Sequence, residues 1–326
     1  MDAPRDPTAA ANRVMIRGAA TPLGQRVVNL VVDDPTVTLV EGSGDADIIV
    51  DLLLADHDHL EDRSQSVTEG LADLIDDLEG SGATHLVVVS SAMVYGAWPN
   101  NPVPLTESAV LRPDPEFVYA RQLAGAEELI EAWRQGKPDR RVAVLRPAIP
   151  IALNARSSLA TALTAGLGER FAESDADVQF VHLDDLASAV ALAVRQRLDG
   201  AFNVAPDSSV AAHRVRDLSG PRFRLPLPEP VAEVVASLRW KLLGEPLPLG
   251  ARSYIRHSWL IANDRLRSQG WKPTMTNEQA YVEGTTTPRW SIITPQRRQE
   301  IALGVVGGAI ILVVVAIGGM IRRWLR

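Results

Sequence analysis

Short apolar runs alternate with helix-patterned stretches through the first two thirds of this 326-residue chain, and that alternation constrains its fold more than any other feature. Residues 13–17 (RVMIR), 46–54, 85–90 (HLVVVS), 141–145 and 201–205 are strand-length and largely apolar, with a further strand at 36–41 and another at 178–181. A strand without a polar face must be covered on both sides, and helical crossovers cover a parallel sheet in that way. The intervening segments 23–32, 67–78, 119–133 and 183–195 carry apolar residues at helical spacing. The expected architecture is therefore α/β, a doubly wound parallel sheet over residues 13–205, with parts of 147–180 contributing to a smaller lobe. After Pro206 the pattern breaks into proline-rich and basic stretches around a helix at 231–243, and residues 206–283 are expected to form that lobe. Residues 1–12 read as a flexible arm and 284–300 as a linker.

The far end of the chain obeys a different rule. Residues 301–321 are an uncharged run of 21 residues rich in Val, Ile, Ala and Gly. At about 1.5 Å per helical residue such a run just spans a hydrocarbon layer of roughly 30 Å. It reads as one transmembrane helix between Arg297/Arg298 and Arg322/Arg323, with a Gly304/Gly308 pair able to seat a second helix in a homodimer or against another protein. The opening residues MDAPRDPTAAANR lack the apolar centre of a secretory signal, so residues 1–296 are expected in the cytoplasm. Residues 1–200 hold 16 basic and 31 acidic side chains, whereas 201–326 hold 17 and 9. The acidic front half argues against nucleic acid as the partner. With no cysteine, disulfides, thiolate metal sites and cysteine nucleophiles are excluded. No His, Asp or Glu grouping has metal-ligand spacing, and the His57/His59 pair stands without further ligands nearby.

Seven segments stand in an order that points to one family: IRGAATPLGQRVV, SSAMVYG at 90–96 with PLTES at 104–108, Tyr119 with Glu127 on its helix, VLRP at 144–147, FVHLDDLASAV at 180–190, FNVAPD at 202–207 and LRSQGWKP at 266–273. Together they resemble the NAD-dependent epimerase/dehydratase branch of the extended short-chain dehydrogenases and reductases. The resemblance implies a Rossmann-like fold with a C-terminal substrate lobe, a dinucleotide on a glycine loop, and a Ser/Tyr/Lys proton relay. Gly18 and Gly24 fall on the first and third glycines of that loop, and Glu41 on the acid that would hold a ribose hydroxyl and favour NAD. Ser91 falls on the serine, Tyr119 on the tyrosine, and Leu123 on the lysine.

Three departures bear on the cofactor. Thr21 replaces the middle glycine and Pro22 removes an amide beside it, where phosphate oxygens need close backbone and free N–H groups. Only four residues separate Glu41 from the next strand, too few for the helix and strand that wall the adenine in the family. Leu53 stands where it would crowd the adenosine path. A fourth departure bears on chemistry: a tyrosine with no cation keeps a pKa near 10 and is a poor base at neutral pH. Leu123 carries no charge, and Arg121 lies about 200° round the helix from Tyr119. The expectation is a membrane-anchored relative with impaired or lost catalysis and weak or lost NAD binding, acting as a binding or regulatory subunit. The alternative is an active NAD(P)-dependent oxidoreductase or epimerase on a lipid-linked sugar or hydrophobic alcohol, its missing cation supplied from Arg214, Arg216, Arg222 and Arg224. Arg146 ends a strand where relatives line the substrate pocket and equally suits a structural ion pair, whereas His182 and Asp184 read as structural, with Asp184 as a helix cap and Trp271 as a core anchor.

Overall fold

The computed structural model describes residues 11–54, 63–153, 160, 163, 176–218 and 250–285, the side chains of 63–66 and 216 excepted. The arm before residue 11, the His57/His59 pair, the helix expected at 231–243, Arg222, Arg224, and the linker and apolar run through 321 lie outside the described residues. Among the described residues no helix is long and apolar enough to cross a membrane.

Strands β1 (Asn12–Arg17), β2 (Val37–Leu39), β3 (Ile48–Asp51), β4 (His85–Val89), β5 (Arg141–Pro147) and β6 (Gly200–Val204) form one sheet in the order β2-β1-β3-β4-β5-β6. Every pairing in it is parallel. Successive side chains of a strand point to opposite faces, and here they feed two separate cores. Ile49, Leu86, Val88, Val142 and Val144 pack on the face covered by α2 (Arg63–Gly80) and α3 (Val118–Gln135). Ile48, Val50, Val87, Val89, Ala143 and Leu145 pack on the face covered by α1 (Pro22–Val31) and α4 (Leu183–Gln196). The strand order reverses between β1 and its two neighbours, so the carboxyl ends of β1 and β3 border the crevice where doubly wound folds bind ligands.

The helices begin where local chemistry allows. Thr21 caps α1 by accepting from the Gly24 amide, and Pro22 occupies the first helical position, where its missing N–H costs nothing within the helix. The cap of α4 differs from the expectation: His182, not Asp184, takes the position, its Nδ1 accepting from the Asp184 amide at 3.2 Å. Asp184 sits two residues on, within the first turn, and pairs with Arg26 of α1 at 2.6 Å. β1 begins at Asn12, one residue before the expected start at Arg13, and the Asn12 amide donates to the Thr36 carbonyl.

Residues 250–285 return to the sheet body. Ile261 bridges Leu105, and the buried Asp185 of α4 accepts from the Thr274 amide and hydroxyl and from the Met275 amide, at 2.8, 2.6 and 3.1 Å. Trp271 is buried and donates to Ser188 at 2.9 Å, the anchoring role expected of it. Leu266 and Trp271 share the core of α1 and α4, so this part of the expected lobe is packed into the sheet domain.

Candidate cofactor and catalytic site

The turn after β1 is built around Gly18, whose φ of +86° suits glycine and strains other residues. Thr21 closes the turn twice over: its amide reaches the Gly18 carbonyl at 3.0 Å and its hydroxyl donates to the same oxygen at 2.7 Å. Thr21 Oγ1 also accepts from the Gly24 amide at 3.0 Å. A Cβ on Gly24 would stand 2.0 Å from the Gly18 carbonyl oxygen, so this glycine is required by close helix-to-turn packing whatever is bound. Of the first three positions of α1, Pro22 has no N–H and Gly24 gives its own to Thr21, which leaves that of Leu23.

At the end of β3, Asp51 lies in register with Arg17 of β1 and is almost wholly buried. Burial pushes the Asp51 carboxyl up, against the pull of Arg17 and of two loop amides. Arg17 Nη1 meets Asp51 at 3.1 Å, and Arg17 Nε meets Asp77 of α2 at 3.3 Å. Asp51 Oδ1 accepts from the amides of Leu53 and Leu54 at 3.2 and 2.9 Å. That turn ends β3 earlier than the expected residue 54 and lays Leu53 on the glycine turn: its Cδ2 is 2.9 Å from where a Cβ of Gly18 would be. Glu41 is exposed two residues past β2, and its carboxylate makes no hydrogen bond among the described residues. Between it and β3 only a single 3-10 turn, Ser43–Asp45, intervenes, and β2 is the edge of the sheet.

Ser91 caps the 3-10 turn Ala92–Tyr95, its buried Oγ accepting from the Met93 amide at 3.2 Å. Tyr119, near the start of α3, is buried with its ring 5.7 Å from Phe117. Phe117 in turn meets Tyr254 edge-on at 5.4 Å, and the Tyr254 hydroxyl donates to the Met93 carbonyl at 2.6 Å. Burial raises the Tyr254 pKa, which keeps that phenol neutral. The aromatic chain thus joins the Ser91 turn to the start of α3. Leu123 is 0% exposed and packs in the same apolar cluster. Arg121 is exposed. Of the basic group offered as a substitute cation, Arg214 is described, and it pairs with Glu278 at 3.6 Å.

One buried network was not anticipated as a whole. Glu127 of α3 receives Arg146 of β5 through both Nε and Nη2, and accepts from the Ser90 hydroxyl at 2.5 Å. Arg146 Nη1 donates to the Tyr95 hydroxyl at 2.7 Å, which donates to Asn203 Oδ1 at 2.8 Å. The Asn203 amide reaches Glu107 of the PLTES segment at 2.9 Å. The ion pair considered for Arg146 is thus formed, with Glu127 as its partner. The signal lay in Glu127 one helical turn beyond Leu123, but its partner in β5 emerges only from the fold. Glu127 and Arg146 also border a cavity walled by Leu111, Ile130, Val142 and Ala201, which shares no residue with the glycine turn. No group of three or more His, Asp or Glu able to hold a metal occurs among the described residues.

Residues 13–205 match the profile of the NAD dependent epimerase/dehydratase family. An uncharacterized protein of Mycobacterium tuberculosis is 25% identical over 256 residues, 76% of this chain and 67% of that one. Among solved structures, RMD from Pseudomonas aeruginosa complexed with NADPH superposes with a TM-score of 0.60 at 17% identity, covering 84% of this chain and 97% of that one. A Thermus thermophilus UDP-glucose 4-epimerase in complex with NAD gives 0.59 at 16%, covering 83% and 97%. A UDP-N-acetylglucosamine 4-epimerase from Methanobrevibacter ruminantium gives 0.58 at 17%, covering 87% and 99%. At these identities the likeness is one of fold.

Proposed function

This chain belongs to the NAD dependent epimerase/dehydratase family, and from that premise we propose that it is a membrane-anchored binding or regulatory subunit that keeps the family's Rossmann body without its proton relay. The observation that carries the reading is Leu123. It occupies the lysine position four residues after Tyr119 and is sealed in the apolar core between α3 and the sheet. A cation there is what would draw a tyrosine's pKa from about 10 toward neutrality. Leucine leaves neither a charge for the tyrosine nor a donor for a cofactor ribose. The burial of Leu123 means that the position is part of the core packing and not an open slot awaiting another residue.

The uncharged run at 301–321, framed by arginines, supports an anchor with residues 1–296 in the cytoplasm, and Gly304 and Gly308 support a second copy or another protein as its helix partner. The decisive assay supplies the full-length protein in detergent with NAD and a panel of nucleotide-diphosphate sugars, and follows epimerisation or reduction beside a Tyr119→Phe variant. Equal background rates in the two support the reading. Cofactor-dependent turnover that disappears in Tyr119→Phe refutes it. Flotation of the protein with vesicles, lost on truncation after residue 296, tests the anchor.

A further inference from the structure

We infer that the dinucleotide crevice of this chain is closed by its own residues, with Leu53 as the plug and the Arg17–Asp51–Asp77 cluster as the latch that holds it. This goes beyond the reading above, because it concerns binding and would hold whatever residue stood at position 123.

A pyrophosphate on a Rossmann turn must bring its oxygens within about 3 Å of backbone amides, over a surface with no side chain between. Here the surface of Gly18 is taken. Leu53 Cδ2 and Cγ lie 2.9 and 3.2 Å from the point where a Cβ of Gly18 would be, so the leucine is in van der Waals contact with the glycine itself. Although Leu53 is 40% exposed, its backbone is not free to swing aside. Its amide and that of Leu54 are held by Asp51 Oδ1, and the other oxygen of Asp51 is held by Arg17 at 3.1 Å. Arg17 is fastened in turn to Asp77 in α2. Moving the backbone that carries Leu53 therefore disturbs contacts to β1, β3 and α2 together.

Two further features act in the same direction. Thr21 Oγ1 accepts from the Gly24 amide, as a phosphate oxygen at the helix terminus would, so an arriving anion competes with an intramolecular bond already made. The latch also sets two carboxylates, Asp51 and Asp77, against one guanidinium, Arg17. With both carboxyl groups on Arg17, the one cation of the latch is already engaged and offers no unpaired charge to a doubly negative pyrophosphate. These residues do not fit a dinucleotide in the family's manner, and the side chain that decides the matter is Leu53.

The test titrates NADH into the full-length protein in detergent, read by its fluorescence and by calorimetry. Four proteins are compared: the natural chain, Leu53→Ala, Thr21→Gly and the double variant, each checked for native circular dichroism. The natural chain is expected to show no saturable binding below about 1 mM, and the double variant to bind at least about tenfold more tightly than Thr21→Gly alone. Micromolar binding by the natural chain overturns the inference. So does a folded double variant that binds no better than Thr21→Gly. Tight binding without turnover would remove the plug and leave the non-catalytic reading standing, whereas turnover would remove that reading as well.

Discussion

His85 ties the stability of this fold to pH in a way that can be worked out in advance. It opens β4, is completely buried, and donates from Nε2 to the Leu198 carbonyl at 2.9 Å, while Nδ1 has no hydrogen-bond partner among the described residues. Burial above all brings its pKa from 6.5 down to about 4, against the hydrogen bond to Leu198, with Arg197 and Arg141 adding less in the same downward direction and Asp199 opposing least. Above pH 6.5 the ring is neutral in both folded and unfolded chains and costs nothing. Between 6.5 and about 4 the unfolded chain takes up a proton that the folded chain refuses, so stability falls as pH falls; below about 4 both are protonated and this contribution levels off. From pH 7.5 to 4.5 the loss comes to about 2.5 kcal/mol. The assay is urea denaturation at both pH values for the natural chain and for His85→Gln, which retains a donor for Leu198 but cannot titrate. The variant should lose about 2.5 kcal/mol less between the two conditions, whatever the carboxylates contribute to both proteins. An unchanged difference between pH 7.5 and 4.5 would refute the argument and place the acid sensitivity elsewhere.

Leu123→Lys should not restore a relay but should cost roughly 3–5 kcal/mol, because it places an ammonium in a fully buried apolar site; thermal melting with and without NAD checks this. Gly24→Ala should destabilise by about 2–4 kcal/mol with no ligand present, since the new methyl would lie 2.0 Å from the Gly18 carbonyl oxygen. Glu127→Ala should cost roughly 3–5 kcal/mol by leaving Arg146 buried without its carboxylate, and Glu127→Ala with Arg146→Met should cost less than the sum of the single changes in a double-mutant cycle.

What could be read in the sequence follows from how local the cause is. The strands at 85–90 and 141–145 were legible because burial on both faces leaves an unbroken apolar run, and α3 because its apolar residues recur at helical spacing. The expected strand at 46–54 proved too long: its apolar residues continue to Leu54, but the chain turns at Asp51, whose carboxylate captures the next amides. Asp184 looked like the natural cap because aspartate usually is, yet the chain geometry puts His182 at that position. Gly18, Gly24, Ser91, Tyr119 and Leu123 could be placed by their segments alone. The latch could not, since Arg17, Asp51 and Asp77 sit on three elements that only the parallel sheet and its covering helix bring together. Thr21 was read as an obstruction to phosphate, and its second role, capping α1 and closing the turn, needed coordinates.

The network through Ser90, Glu127, Arg146, Tyr95, Asn203 and Glu107 has a bearing on how proteins of this kind are sorted. SSAMVYG, PLTES, VLRP and FNVAPD each contribute a member to it, and Leu123 has no polar atom with which to join it. These four signature stretches are tied to one another by internal scaffolding rather than by turnover. In this chain those four stretches have a reason to be kept that lies in the skeleton, whatever the chemistry beside it. For sorting such proteins by activity, the informative positions are the ones the skeleton does not use.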